Sequence, residues 1–323
     1  MREPIVFLNG EFLPEPETRV PVLTHCLHYG TGIFEGIRAH RDRGTEEMLL
    51  FRAKDHFERM KHNVKLLNIT IPWGADELVR FAAELIRRNG LTTDLYVRPL
   101  AYKSAQKIGV GLPAEDSFAM IALPMGSYVD TYKGLHCGIS SWRRIQDNAI
   151  PCRAKICGAY VNSSLAAQEA RDRGFDEAIF LNETGHVAEG SAMNIFLVRD
   201  GRLITPDVSQ GILEGITRDT AMTLAIERGL AAVEQRPVDR TELYVADEVF
   251  LCGTAAQIAP VTRIDGRAVG TGEPGPVTLM LQAAYDGIVR GSDPAPHGWI
   301  ERVYGTAAII NPRHELRTEG SPA

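Results

Sequence analysis

The chain has 323 residues, 44% hydrophobic and 24% charged, which is long and apolar enough for two compact domains, each with its own core. Its net charge of −6 arises from interspersed signs without basic runs, which argues against nucleic acid and anionic membrane surfaces as primary partners. Five cysteines, Cys26, Cys137, Cys152, Cys157 and Cys252, are odd in number and lack CxxC spacing, so neither a disulfide framework nor a zinc site is expected. No apolar run approaches a membrane span, and the N-terminal stretch breaks at Asn9-Gly10 before a signal-peptide core forms. A cytoplasmic location is therefore expected.

In chain order, the pattern predicts a strand over 5–8, a turn at Asn9-Gly10 and a strand over 11–13. A strand over 48–52 precedes a helix over 53–67, with Phe57, Met60, Val64 and Leu67 on one face. A second helix over 76–89 stops at Gly90, its stripe formed by Leu78, Phe81, Ala82 and Leu85. Strands over 95–102 and 118–123 follow. The stretch 125–135 carries no helical or strand period and divides a small N-terminal α/β domain, 1–124, from a larger C-terminal one, 136–304. In the latter, strands over 138–144, 177–181, 187–198, 234–238, 248–252 and 258–264 alternate with helices over 158–173, 217–228 and 276–290. Strands outnumber helices there, so mixed sheets with considerable antiparallel pairing are expected; 305–323 reads as a tail.

The residues that carry chemistry are found from Lys155 onward. Lys155, in Ala154-Lys155-Ile156-Cys157-Gly158-Ala159-Tyr160, is the last lysine of the chain, and Glu189 follows in Ala188-Glu189-Gly190-Ser191. Pyridoxal phosphate needs a lysine to hold its aldehyde as a Schiff base and an acid to keep its ring nitrogen protonated. A phosphate needs backbone N–H groups at a helix start. Leu213-Glu214-Gly215-Ile216-Thr217 offers these, with Gly215 for the turn and Thr217 as the cap, and the loop Cys252-Gly253-Thr254-Ala255-Ala256 adds a hydroxyl. Singly, each feature has an ordinary structural reading: a solvated lysine, a turn glutamate, a plain helix cap, a small-residue loop.

Five segments in order make the chain resemble a class IV aminotransferase, the fold-type-IV pyridoxal phosphate group, and within it the branched-chain amino acid aminotransferases. They are 28–38 (His28-Tyr29-Gly30-Thr31-Gly32-Ile33-Phe34-Glu35-Gly36-Ile37-Arg38), the Lys155 segment, Glu189-Gly190 with Asn194, 215–219, and 246–250 leading into Gly253-Thr254-Ala255. The resemblance implies a two-domain α/β (α+β) fold with a barrel-like C-terminal domain. It implies Lys155 as catalytic lysine, Glu189 as partner of the ring nitrogen, and Tyr160 as donor to the ring's phenolic oxygen. Arg59, Ile216, Thr217 and Thr254 would hold the phosphate, and Leu213 would complete the cofactor set. The ordinary alternative for Arg59 is a surface arginine beside His56.

For the substrate carboxylate, the resemblance points to Tyr96 and Arg98 in Tyr96-Val97-Arg98, with the turn that contains Ala255. D-amino acid transaminases show Arg-x-His instead, and Arg98-Pro99-Leu100 lacks the histidine. Tyr29, Phe34, Gly36, Ile108, Val110 and Tyr128 would surround an aliphatic side chain, and Arg38 with Tyr29 would meet the γ-carboxylate of glutamate. Met125 stands where many bacterial relatives carry tryptophan, which implies a wider pocket. The implied reaction is ping-pong transamination of leucine, isoleucine and valine with 2-oxoglutarate. The family usually forms homodimers, and Tyr29 and Val110 are candidates to cross into the partner's site. Action on D-amino acids or (R)-amines, or aminodeoxychorismate lyase activity, is the same-fold alternative, and Tyr96-Val97-Arg98 argues against each. A non-enzymatic cofactor binder is disfavoured by the presence of both Lys155 and Glu189, and a dinucleotide site by the incomplete Gly109-Val110-Gly111. No metal site is expected.

Overall fold

The computed structural model describes residues 3–45, 47–126 and 133–305. The chain forms two units of nearly equal length, Met1–Gly126 with Val289–Ala323, and Ser127–Ile288. The expected linker 125–135 falls mostly outside the described residues, as does most of the tail.

The first unit is built on an antiparallel sheet. Its strands are β1 (Ile5–Leu8), β2 (Glu11–Pro14), β3 (Gly32–Phe34), β4 (Ile37–Arg41), β5 (Met48–Phe51), β6 (Leu95–Lys103), β7 (Asp116–Pro124) and the last strand of the chain, Ile300–Arg302. Asn9 and Gly10 both have positive φ, the requirement of the tight turn that joins β1 to β2. Three helices accompany the sheet: α1 (His25–Tyr29), α2 (Ala53–Asn63) and α3 (Ala75–Asn89). The Glu77 carboxylate accepts the Gly74 N–H at 2.7 Å at the start of α3, and Gly90, with φ +63°, ends it. Phe81 of α3 stacks on Phe7 of β1 at 4.9 Å, and Trp73 and Phe118 close the cluster edge-on. The helix expected over 53–67 ends at Asn63 and tightens into a 3-10 turn over Val64–Leu67, because Asn68 takes the left-handed conformation that stops it.

Register sets which residues meet. Arg38 lies opposite Tyr96 across β4 and β6, and Phe34 opposite Leu100 across β3 and β6. Tyr96 and Arg98, two apart on β6, share a face. The motif 28–38 and the Tyr96-Val97-Arg98 motif thus come together although some sixty residues apart in sequence.

The second unit carries a mixed sheet of β8 (Leu135–Arg143), β9 (Glu177–Leu181), β10 (Val187–Gly190), β11 (Asn194–Arg199), β12 (Arg202–Thr205), β13 (Ala232–Gln235), β14 (Glu248–Gly253), β15 (Gln257–Ile264) and β16 (Arg267–Ala268). β8 pairs in parallel with β9 and β15, and β12 with β13; the other pairs are antiparallel. The helices are α4 (Tyr160–Asp172), α5 (Ile216–Glu227), α6 (Glu242–Val245) and α7 (Pro276–Val289). Phe196 and Phe250 stack at 4.9 Å, and a core of Ile, Leu and Val comes from the central strands. The single strand expected over 187–198 is two. The chain reverses at 191–193, where the Gly190 N–H donates to Met193 O at 2.7 Å, and a Cβ on Gly190 would crowd that oxygen at 3.2 Å.

The last strand, β17 (Ile300–Arg302), pairs with β5. The stretch after α7, expected with the larger domain, therefore completes the first sheet, which is why the two units come out nearly equal in length. Among the described residues, no helix is long and apolar enough to cross a membrane.

Candidate active site

Lys155 sits in the segment between β8 and α4, one residue before Ile156 leads into the short 3-10 turn Cys157–Ala159. Ala154, Ile156 and Ala159 are buried around it, and Lys155 itself is half-buried. Its Nζ lies 2.6 Å from the hydroxyl of Tyr160, the first residue of α4, and 5.2 Å from that ring's centre. The amine is thus held by a phenol in a partly buried site.

Glu189 is the next-to-last residue of β10 and is 5% exposed. Its Oε2 accepts the Leu213 N–H at 3.0 Å and Asn194 Nδ2 at 3.0 Å, while Oε1 lies 2.8 Å from Arg144 Nη2. Burial pushes the Glu189 carboxyl above its ordinary range, and the Arg144 guanidinium is the foremost group opposing that rise. The turn at 191–193 makes this possible, since it brings Asn194, at the start of β11, back beside Glu189.

The start of α5 is the third component. Gly215 is its N-cap in an extended conformation and supplies no side-chain cap, so Thr217, expected as the cap, is a residue of the first turn and is buried. A Cβ on Gly215 would lie 1.9 Å from Asn194 Oδ1, so only glycine lets the loop close on the Glu189–Asn194 pair. Thr254 and Ala255, half-buried, follow β14 in the same unit. Amine, phenol, buried carboxylate and the uncapped start of a twelve-residue helix are the donor set that a pyridine aldehyde bearing a phosphate requires. Lys155, Tyr160, Glu189, Leu213, Ile216, Thr217 and Thr254 all belong to the second unit.

The remaining expected residues, Ala255 and Tyr128 aside, belong to the first unit. Arg59, on α2, is not a surface arginine: its side chain is 13% exposed, and its Nε and Nη2 donate to Glu35 Oε1 and Oε2, both at 2.7 Å. Glu35 is fully buried and also faces His56 Nδ1 at 2.8 Å. Burial alone would raise the Glu35 carboxyl, but Arg59 and His56 together hold it well below the usual carboxylate range. Arg98 Nη2 donates to the Tyr96 hydroxyl at 3.0 Å, and its guanidinium lies 4.5 Å from the centre of the Phe34 ring. Gly36 is obligatory here, since a Cβ would meet the Tyr96 hydroxyl at 1.8 Å.

Arg38, assigned to a substrate γ-carboxylate, is 2% exposed and donates to Gly126 O at 3.0 Å and Met125 O at 3.1 Å, so it braces its own backbone. Ile108 and Val110 are 65% and 85% exposed and form no apolar wall within this chain; their loop is fixed by Tyr29, whose hydroxyl accepts the Gly109 N–H at 3.0 Å. Tyr128 lies outside the described residues. Sequence reasoning missed Arg144, whose only signal is its place just past the end of β8. It also left Glu35 without a role although the residue stands inside the 28–38 motif. Among the described residues, no cluster of His, Cys, Asp or Glu could hold a metal ion.

Residues 32–264 match the family described as amino-transferase class IV. A probable branched-chain-amino-acid aminotransferase from Aquifex aeolicus is 44% identical over 299 residues, covering 92% of this chain and 96% of that protein. The crystal structure of a branched-chain aminotransferase from Thermoproteus uzoniensis with norvaline has a TM-score of 0.89 at 42% identity, covering 94% of this chain and all of that one. A T.th. branched-chain amino acid aminotransferase, complexed with N-(5'-phosphopyridoxyl)-L-glutamate, has a TM-score of 0.88 at 41% identity, covering 94% of this chain and 99% of that one.

Proposed function

The chain belongs to the class IV aminotransferase family, and from that premise we propose that it transfers the amino group of branched-chain L-amino acids to 2-oxoglutarate, with pyridoxal phosphate as cofactor. The observation that carries the reading is the Lys155–Tyr160 contact of 2.6 Å in the same unit as a buried, fully bonded Glu189. The names of the relatives support the branched-chain choice, and the phosphopyridoxyl-glutamate complex of one of them supports glutamate as the second amino donor.

When bound, pyridoxal phosphate supplies a protonated ring into which electrons from the substrate's Cα–H bond drain. In this reading the Lys155 amine would take the proton from the substrate Cα and hold it at Nζ for its return in the reverse half of the exchange. The Tyr160 hydroxyl holds that amine and donates to the ring's phenolic oxygen. Glu189 would face the ring nitrogen and keep it protonated. Within the second unit the Ile216 and Thr217 amides and the Thr254 hydroxyl would hold the phosphate, with Leu213 completing the cofactor set; in the first unit Arg59, its orientation fixed by Glu35, would serve as a phosphate-binding arginine. In the first unit Tyr96 and Arg98, beside Gly36, would order the substrate carboxylate; in the second, Ala255 is the residue proposed for substrate binding. Phe34 and Tyr29 receive the aliphatic side chain, where each buried methylene contributes about 0.8 kcal/mol. The exposure of Ile108 and Val110 on a fixed loop supports a homodimer in which that loop serves the partner's site. The protein's partners in this reading are amino acids and 2-oxo acids as small-molecule substrates, and the cytoplasm is its proposed location.

The test is the visible absorption of the cofactor-loaded protein. We expect L-leucine to bleach the band of the lysine-bound cofactor and 2-oxoglutarate to restore it. A response to D-alanine or (R)-1-phenylethylamine alone would move the substrate class. Absence of the band in cofactor-supplied protein would remove the role of Lys155.

A further inference from the structure

Arg144 reaches Glu189 directly, and it is built in rather than resting on the surface. It is 9% exposed. Its own N–H donates to Leu181 O at 2.9 Å, its Nε donates to Gly211 O at 3.1 Å, and its guanidinium lies 5.9 Å from the centre of the Phe180 ring. Backbone and side chain are each tied to a different segment, so Nη2 reaches Glu189 Oε1 from a fixed direction. The opposite oxygen, Oε2, is taken by Leu213 and Asn194. The carboxylate plane is therefore set by three donors on three segments.

A buried carboxylate facing a pyridine nitrogen can share one proton in two ways, as carboxylate with pyridinium or as carboxylic acid with neutral pyridine. In a site shielded from water the uncharged pair is favoured unless another cation stabilises the carboxylate. Only the charged pair makes the ring a strong electron acceptor. We propose that Arg144 is a positioning residue for transamination: its guanidinium keeps Glu189 ionised and oriented, so that the shared proton resides on the cofactor's ring nitrogen. The proposal rests on the reading of Glu189 as the ring-nitrogen partner. Burial raises the Glu189 carboxyl, and Arg144 is the first of the groups that oppose the rise, which is the direction the proposal requires of it.

The experiment loads wild type, Arg144→Met and Arg144→Lys with pyridoxal phosphate labelled with 15N in the ring and reads the nitrogen's chemical shift in the holoenzyme. In wild type and Arg144→Lys the signal is expected at the pyridinium position. In Arg144→Met it is expected to move to the neutral-pyridine position, with kcat reduced about tenfold or more and KM for L-leucine changed less than about twofold. A purely structural role would lower thermal stability without moving the nitrogen signal. A pyridinium signal retained in folded, loaded Arg144→Met overturns the proposal while leaving Glu189 its role. A neutral signal in wild type overturns the role of Glu189, and the proposal with it. Should Arg144→Met fail to fold, Arg144→Gln, which keeps a donor without the charge, is judged by the same two positions of the signal.

Discussion

At the scale of single residues, the first unit's most constrained group is Glu35. It is a buried carboxylate with His56 on one side and a two-point grip on Arg59 on the other. Removing one member of such a buried pair leaves the other charge uncompensated, a cost of about 3–5 kcal/mol. Glu35→Gln is therefore expected to lower unfolding free energy by that order in urea titrations at pH 7, and to weaken cofactor binding if Arg59 holds the phosphate. The pH dependence has a fixed sign. The folded-state pKa of Glu35 is depressed, so its contribution is present above its unfolded value of about 4.3 and is lost as pH falls below it. The advantage of wild type over Glu35→Gln should shrink when the titration is repeated below about pH 4. An undiminished difference there would mean that the carboxylate charge is not what stabilises the cluster.

At the scale of elements, α7 shows how a helix is started by a residue far away in sequence. Glu248, at the beginning of β14, accepts the Val277 N–H at 2.9 Å and the Thr278 N–H and hydroxyl at 2.8 and 2.7 Å. A carboxylate on the first turn satisfies amides that the helix cannot and complements its dipole. Glu248→Gln should cost about 1–2 kcal/mol in thermal or urea unfolding while leaving the cofactor's visible band in place. Such long-range caps mark the limit of what local pattern reveals. α3 was legible because its Leu78–Phe81–Ala82–Leu85 stripe, Glu77 and Gly90 all lie within it or at its end. The Lys155 and Glu189 motifs were legible because small residues and order along the chain are local facts. β10 and β11 read as one strand because the apolar pattern resumes on both sides of Glu189-Gly190-Ser191; the break is decided by Gly190 closing on Met193. The gap in reading Arg144, the backbone contacts of Arg38 and the absence of α1, β3, β4, β12, α6, β16 and β17 from the predicted elements share that cause. Short elements and paired charges acquire meaning only from partners brought in by the sheet.

At the scale of the whole molecule, the first unit is assembled from both ends of the described chain, and a charged cluster marks the join. Asp94 receives both Nη1 and Nη2 of Arg290, at 2.6 and 2.7 Å, and the Arg41 N–H at 3.0 Å. His40 lies 3.6 Å from Asp94, wholly buried and with neither ring nitrogen hydrogen-bonded among the described residues. Burial is the chief reason its pKa falls below the ordinary histidine value, outweighing the pull of Asp94. The unfolded chain then binds a proton that the folded one refuses, so stability declines as pH falls below about 6.5 toward the folded value, by about 1.4 kcal/mol per unit of depression. His40→Leu should flatten the dependence of melting temperature between pH 7 and 5.5, a window above that of Glu35. An unchanged slope would place the titration elsewhere.

The pairing of β17 with β5 has a consequence for synthesis on the ribosome. Every strand of the second unit is translated before β17, so that unit can acquire its sheet while the first still lacks its edge. The strand β5, with its apolar run Met48–Phe51, must wait with one side of its backbone ladder open. An unpaired apolar edge held through much of translation is a surface for mispairing between nascent chains. Slow elongation through the stretch before β17 would lengthen that exposure, whereas a chaperone that occupies extended apolar segments would shorten it.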